Sequence, residues 1–411
     1  MLSPDRMRRI DYWVGVPLCF VLTGVARALD VLGRQRPPSS PKHVLFIELA
    51  EMGSLVLAVP AVRRLKVQSP DCRTFFLVFR HVSPGVRVLD LAGNSDVMTI
   101  DPSSLRTVVR DTLRFLRNAR RHRIDTVINL ESFARFSTIL AFLTGARTRV
   151  GFAPFAQRGL YVGDLVTHRV IYNPHIHTWQ SFVTLVQALE QPENDLPLGK
   201  VPIPLPHEGV LPDDYISRPA SESFKKRFTA DYPVAAGKRL IVVNPNASKL
   251  ISIRKWPLAR YAELVRRLLE DPSNVCVLTG VASERDDTAF IREAVPSERI
   301  IDLAGRTTLE ELLLLFSIAE LLITNDSGPA QFAALTNIDL LVFFGPETPK
   351  LYRPLTNRCT VMYADLACSP CVSAFNQRES VCVNNRCLTN ISVDVAHAAA
   401  TRILQRRALN R

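Results

Sequence analysis

The stretch Leu321-Leu-Ile-Thr-Asn-Asp-Ser-Gly-Pro-Ala-Gln-Phe-Ala-Ala-Leu335, followed by Leu340-Leu-Val-Phe-Phe-Gly-Pro-Glu-Thr-Pro349, constrains the fold more than any other part of the chain. The apolar run from Leu321 to Ile323 predicts a buried strand. It stops at Asn325-Asp326-Ser327-Gly328-Pro329, residues that suit a turn and a helix start. A helix and a second buried strand ending at Gly345-Pro346 follow. This order belongs to a parallel α/β sheet and gathers backbone N–H groups and a short polar cluster at the carboxyl edge, where phosphates or diphosphates commonly bind. Taken alone, the segment also fits an ordinary strand–turn–helix of any α/β protein.

Similar alternation runs through the chain. Val44–Leu49, Thr74–Phe79, Val97–Ile100 and Thr126–Leu130 read as strands, and Leu57–Val67, Ser104–Arg121 and Phe136–Leu143 as helices. A second series comprises Leu240–Asn244, Val275–Leu278, Leu321–Ile323 and Leu340–Phe344. Such βα alternation predicts doubly wound parallel sheets. The proline-rich segment Gln191 to Pro219 separates the two series. The expected organisation is an N-terminal hydrophobic and basic segment with its linker (1–42), a first Rossmann-like domain (43–210) and a second (211–411). With 411 residues the chain is long enough for two or three domains.

Five stretches, in order, resemble the glycosyltransferase family 9 enzymes, the heptosyltransferase-like proteins of lipopolysaccharide assembly. They are Val44-Leu-Phe-Ile-Glu-Leu-Ala-Glu-Met-Gly-Ser54 with Val59-Pro-Ala-Val-Arg-Arg-Leu-Lys66; Asp125-Thr-Val-Ile-Asn-Leu130 with Thr144-Gly-Ala-Arg-Thr-Arg-Val-Gly-Phe152, read as a strand and the turn after the next helix; Val243-Asn-Pro-Asn-Ala-Ser248 with Arg254-Lys-Trp-Pro257; Val277-Leu-Thr-Gly280 with Asp302-Leu-Ala-Gly-Arg-Thr-Thr-Leu309; and the opening segment. The resemblance covers roughly residues 43 to 400. It implies the α/β GT-B architecture, two Rossmann-like domains facing across a cleft. It also implies an inverting transfer of a heptose or related sugar from a nucleotide-diphosphate sugar, ADP-linked or another, onto a lipopolysaccharide core or similar lipid-linked glycan. The rival readings are a catalytically silent relative that binds glycan or scaffolds envelope assembly, a nucleotide-sugar epimerase, and a nucleic-acid binder.

Glycosyl transfer needs a base for the acceptor hydroxyl and stabilisation of the leaving diphosphate. Enzymes of this kind generally work without a bound metal, so no cofactor is expected for catalysis. The resemblance places the donor at Asp326, Ser327 and Gly328. Asn246 and Ser248 follow the first strand of the second domain and offer further contacts. Arg254 or Lys255 supplies the cation for the diphosphate. Glu284, after Gly280, is the candidate for ribose hydroxyls, and Thr307 for the base. Two departures stand out. The family usually has an Asp, read as the general base, where this chain has Ser54, and a hydroxyl is too weakly acidic to replace it unaided. Glu51, in the same loop, is the expected displaced base, because Glu48 is expected inside the strand. The family also usually has His where Gln331 stands, and a Gln brings no charge.

The net charge of +12 predicts an anionic partner. No basic motif interleaved with aromatics points to nucleic acid, which leaves an anionic glycolipid and a membrane surface. Arg106, Arg110, Arg114, Arg117 and Arg121 form one basic stripe on the predicted helix. This is either a plain solvated face or a surface for anionic lipid or acceptor phosphates. Trp13 to Ala26 is uncharged and flanked by Arg6, Arg8, Arg9, Arg27, Arg34 and Arg36. It is shorter than the ~20 residues of a spanning helix. Ala26-Arg27-Ala28 imitates a signal-peptide cleavage site, but Arg sits inside it. The preferred reading is a helix or hairpin in the membrane interface, peripheral or monotopic on the cytoplasmic face of a bacterial inner membrane; the alternative is a helix packed on the protein's own surface. Gln35 to Pro41 reads as a linker. Finally, Cys368-x2-Cys371-x10-Cys382-x4-Cys387 has spacing compatible with structural zinc or an iron–sulfur site, with free thiols or disulfides as alternatives.

Overall fold

The computed structural model describes residues 4–31, 40–155, 159–212, 215–247 and 249–409. Gln35 to Ser39 of the expected linker, and Ser248, lie outside them. The chain divides into two compact units, Met1–Gly209 and Val210–Arg411.

The first unit holds a six-stranded parallel sheet of β1 (His43–Ile47), β2 (Arg73–Phe79), β3 (Val97–Ile100), β4 (Thr126–Asn129), β5 (Thr148–Phe152) and β6 (His168–Val170), in the order β3-β2-β1-β4-β5-β6. The second repeats this plan with β7 (Arg239–Asn244), β8 (Asn274–Leu278), β9 (Ile300–Asp302), β10 (Leu321–Asn325), β11 (Asp339–Phe344) and β12 (Cys359–Tyr363), in the order β12-β11-β10-β7-β8-β9. In each sheet the chain starts at the centre, winds to one edge, returns and winds to the other. Right-handed crossovers therefore cover both faces with helices. The central strands are buried throughout β10 and β11 and past the first residue of β1 and β7, as parallel strands covered on both faces require.

Several boundaries differ from the sequence reading. The helix expected from Leu57 starts at Met52 and runs to Gln68 through Pro60. The helix expected from Ser104 spans Leu105–Arg121, with the Ser104 hydroxyl accepting from the Thr107 N–H as its cap. Residues Thr148 to Phe152, read as a turn, form β5. Its Arg149 is buried, with the guanidinium donating to the carbonyls of Leu165 at 2.6 Å and Ala146 at 2.5 Å.

The N-terminal segment is two helices in line, Pro4–Trp13 and Gly15–Val31. Hydrogen bonds from Val14 N–H to Ile10 O and from Leu18 N–H to Val14 O carry the chain through the single-residue break. Arg6–Leu29 is long and apolar enough to cross a membrane by length and composition. One face nevertheless packs on this unit's Arg135–Leu143 helix, where Cys19 and Ala26 are buried with Ile139 and Leu165. The approach is close: a Cβ on Gly15 would stand 2.9 Å from Arg135 Cβ. Arg135 is fully buried and pairs with Asp11 at 3.2 Å. The other Asp11 oxygen accepts from Phe136 N–H at 2.8 Å, so Asp11 caps a helix to which it does not belong. The far side of the same segment is exposed, with Trp13 and Phe20 each 73% accessible.

Two predictions follow, one from this packing and one from the buried start of β6. Asp11→Ala leaves the Arg135 guanidinium buried without its carboxylate, at a cost of about 3 kcal/mol. The expected outcome is a lower unfolding midpoint together with rapid proteolysis within residues 4–31. His168 is buried, and desolvation, then the Arg149 cation, lower its pKa from 6.5 to about 4, outweighing the Glu193 carboxylate at 3.9 Å. Because the unfolded chain binds this proton first, the stability present above pH 6.5 falls as pH drops towards about 4, by up to ~3 kcal/mol. Denaturation of a His168→Asn variant at both ends of this window is expected to show a weaker pH dependence.

Candidate functional site

At the carboxyl edge of the second sheet, β10 ends in Asn325, whose fully buried side chain joins three segments. Its Nδ2 donates to the carbonyls of Pro245 at 3.0 Å and Asn246 at 3.1 Å in the loop after β7, and its Oδ1 accepts from Trp256 N–H at 2.8 Å. Trp256 is itself fixed. It stacks on Phe343 of β11 with 4.3 Å between centroids, and its indole N–H donates to Ile391 O. Arg254, two residues earlier, is thereby held at the sheet edge. Its Nη1 lies 3.5 Å from Asp326 and 3.6 Å from Glu347, and Glu347 also faces Arg378 at 3.7 Å.

Asn246 forms a second grouping with the loop after β8. Its Nδ2 donates to Thr279 O at 3.3 Å, and a Cβ on Gly280 would stand only 2.6 Å from that nitrogen and 3.1 Å from Glu284 Oε2. Only glycine leaves room there. Glu284 accepts from Val281 N–H at 2.9 Å. Asn246 Oδ1 and Gln331 Oε1 are buried acceptors with no partner among the described residues, which marks both as atoms awaiting a hydrogen-bond donor.

The structure thus brings together Asn246, Gly280 and Glu284 in one cluster and Arg254 and Asp326 in another, linked through Asn325. Lys255 turns away and pairs with Asp287, leaving Arg254 as the cation beside Asp326. Gln331 Nε2 donates to Tyr352 O at 2.6 Å, so its amide is committed to the backbone. The Ser327 hydroxyl donates to Asn325 O. Thr307 sits in the loop after β9, one residue before the Thr308 cap of the Leu309–Ile318 helix. The helix after Ser327, Gly328–Ala333, has only six residues. Its N-terminus is therefore a weaker anion attractor than the sequence suggests, and guanidinium charge dominates.

In the first unit, β1 ends at Ile47, and Glu48 falls one residue beyond it, buried, with its N–H bonded to Leu77 O at 3.2 Å. Glu51 precedes the Met52–Gln68 helix and accepts from Ser54 Oγ at 3.1 Å. Position 54 thus orients the carboxylate at position 51. Glu131, beyond β4, accepts from Leu49 N–H at 2.8 Å. The His81 ring bonds to the Ala50 carbonyl, yet desolvation is the larger effect and lowers its pKa below 6.5. Neither Glu131 nor His81 was apparent from the sequence, since both join the loop through the sheet.

Residues 112–381 match glycosyltransferase family 9 (heptosyltransferase). The chain belongs to this family. Among the family 9 relatives, lipopolysaccharide heptosyltransferase 2 of Salmonella typhimurium is 31% identical over 145 residues, 34% of this chain and 41% of that protein, so the alignment spans less than half of the relative's length. Lipooligosaccharide heptosyltransferase 2 of Haemophilus influenzae is 22% identical over 323 residues, 78% of this chain and 88% of its own. The E. coli ADP-heptose lps heptosyltransferase II structure superposes with a TM-score of 0.67 at 18% identity, covering 89% of this chain and 99% of that one. A family 9 glycosyltransferase from Veillonella parvula gives 0.66 at 17%, with 89% and 98% covered. These likenesses establish the shared fold.

The C-terminal cysteines lie in a segment that also reaches the Arg254 loop. Among the described residues, no three or more His, Cys, Asp or Glu are arranged to hold a metal ion, and Cys368, Cys371, Cys382 and Cys387 are free thiols. The four thiols lie near one another but differ in exposure, Cys368 being exposed and Cys387 buried. Burial, reinforced by the neighbouring thiols, raises Cys387 to about 11. What this segment does is brace the Arg254 loop. Asn385 Nδ2 donates to the carbonyls of Ile253 at 2.9 Å and Lys255 at 3.0 Å, one on each side of Arg254. Arg378 donates to Tyr352 Oη at 2.9 Å and faces Glu347. Asn385→Ala removes both braces, worth about 1–3 kcal/mol locally. The expected outcome is faster amide exchange at residues 250–257 with β7 unchanged.

Proposed function

We propose that this glycosyltransferase moves a heptose or related sugar from an ADP-linked or other nucleotide-diphosphate sugar to a lipopolysaccharide core or similar lipid-linked glycan, inverting the anomeric carbon. The reading is carried by the convergence of Arg254 and Asp326 at the carboxyl edge of the second sheet, within the family match. In this mechanism the acceptor oxygen bonds to the anomeric carbon while Glu51 takes its proton. The bond to the diphosphate oxygen breaks, and the nucleotide diphosphate leaves with the electron pair. Arg254 meets the developing charge. Asn246 Oδ1 and Gln331 Oε1 accept from donor hydroxyl or amino groups, Glu284 serves the ribose, and Asp326 with Ser327 and Gly328 positions the donor. Thr307 contacts the base. Ser54 positions Glu51. The enzyme works on the cytoplasmic face of the inner membrane, with the exposed side of its N-terminal helices at the surface.

Glu51→Gln is expected to lower kcat by 10²–10⁴-fold while calorimetric donor affinity stays unchanged. Arg254→Lys is expected to lower kcat/KM by about 10²-fold, because an ammonium cannot reproduce the planar guanidinium contact. Undiminished turnover in Glu51→Gln would remove Glu51 as the base. The silent-relative reading is favoured by one observation, Ser54 at the usual Asp position. It predicts donor or glycan binding without turnover by the unaltered protein, measured across a panel of nucleotide sugars and acceptors.

A further inference from the structure

The basic helix Leu105–Arg121 carries a feature that its charge pattern conceals. Its buried face is Asp111, Phe115 and Ala119, which repeat every four residues. Leu105, Val109 and Leu113 repeat with the same period elsewhere on the helix and are 52%, 59% and 59% exposed. Isolated exposed apolar side chains are ordinary, but three in an i, i+4, i+8 row make a continuous stripe. At 100° per residue that stripe is flanked on one side by Arg106 and Arg117 and continued towards the C-terminus by Arg120, all exposed. A solvated helix face has no reason to present such a row. An apolar band edged by arginines is the pattern of a helix lying in an anionic bilayer surface, with aliphatic groups below the headgroups and guanidinium groups among them.

The position of the helix supports the same occupant. The Leu105–Arg121 helix contacts the Arg135–Leu143 helix, and that helix also carries the Gly15–Val31 helix, which exposes Phe20 and Val21. The crossovers following β3 and β4 lie on one face of the first sheet. The two exposed apolar surfaces therefore belong to one continuous helical layer of a single unit.

We propose that the Leu105–Arg121 helix is a second membrane contact, which docks this layer onto a bilayer leaflet rich in anionic headgroups. The proposal rests on the membrane location given above and adds to it a specific surface and lipid class. One N-terminal helix alone leaves the unit free to swing about its anchor. Two contacts on one layer fix which face of the first sheet meets the lipid.

The test is flotation of the full chain with vesicles of phosphatidylglycerol and phosphatidylcholine, and with phosphatidylcholine alone. Three variants are compared: Leu105→Gln/Val109→Gln/Leu113→Gln, Arg106→Gln/Arg117→Gln/Arg120→Gln, and Phe20→Ser/Val21→Ser. All these side chains are exposed or partly so, and circular dichroism verifies folding. The expected result is at least tenfold weaker binding to the anionic vesicles for each of the first two variants, with binding of the unaltered chain lost on neutral vesicles or in high salt. Unchanged binding by either of those variants, while Phe20→Ser/Val21→Ser loses it, overturns the second contact and leaves the membrane location standing. Failure of the unaltered chain to float with any vesicle overturns both. Preferential binding of the unaltered chain to an RNA or DNA duplex, abolished by the arginine substitutions, overturns the lipid assignment.

Discussion

The candidate site in the second unit depends on the Asn325 carboxamide. It is buried at the end of β10, satisfies two carbonyls of the β7 loop and receives the Trp256 N–H. A buried amide with its hydrogen bonds made is rigid, and one left unpaired is costly. This group therefore locks the β7 loop, the β10 edge and the Arg254 segment into one arrangement. Trp256, stacked on Phe343 and bonded to Ile391 O, holds the same segment from the core side. Asn385 adds the last restraint. A charged group that must meet a transition state benefits from such support, because reorganisation then costs little when the reaction occurs.

The first unit reaches its order in another way. Asp11 comes from the N-terminal helices, yet it neutralises the buried Arg135 and caps the helix that begins there. Arg27 and Thr23 add contacts to Asp164 of the same unit. The segment that looks like a membrane element in sequence is thus bonded through one side to the Arg135–Leu143 helix and the Asp164 loop, while its opposite side remains apolar and exposed. Of the two sequence-level alternatives, packing on the protein surface is observed on one side, and the exposed apolar side is what the membrane-interface reading requires.

The paired α/β plan was legible because parallel strands buried on both faces leave continuous apolar runs such as Leu45–Ile47 and Leu340–Phe344. β5 was hidden because Arg149 and Gly151 read as turn residues, and the carbonyl partners that allow Arg149 to be buried come from Ala146 and Leu165. Asp326 and Arg254 were visible as polar residues at strand ends. That Arg254 and not Lys255 stands beside Asp326 could not be read, since adjacent side chains diverge according to backbone direction. Asn385 was invisible for a simpler reason: it acts on Ile253 from 132 positions away, and a short hydrogen-bonding side chain leaves no periodic trace. The cysteine spacing did foretell that the four thiols come near one another, but not their unequal burial, which spacing does not encode.

The ion pairs around Arg254 alternate in sign: Asp326, Arg254, Glu347, Arg378. In these pairs two guanidinium groups face two carboxylates. Inorganic phosphate approaching Arg254 meets Asp326 and Glu347 already beside it. A larger ligand that presents anionic oxygens next to hydroxyl groups satisfies guanidinium and carboxylate together. Alternating charge of this kind favours a ligand that presents acceptors and donors side by side over one that presents acceptors alone.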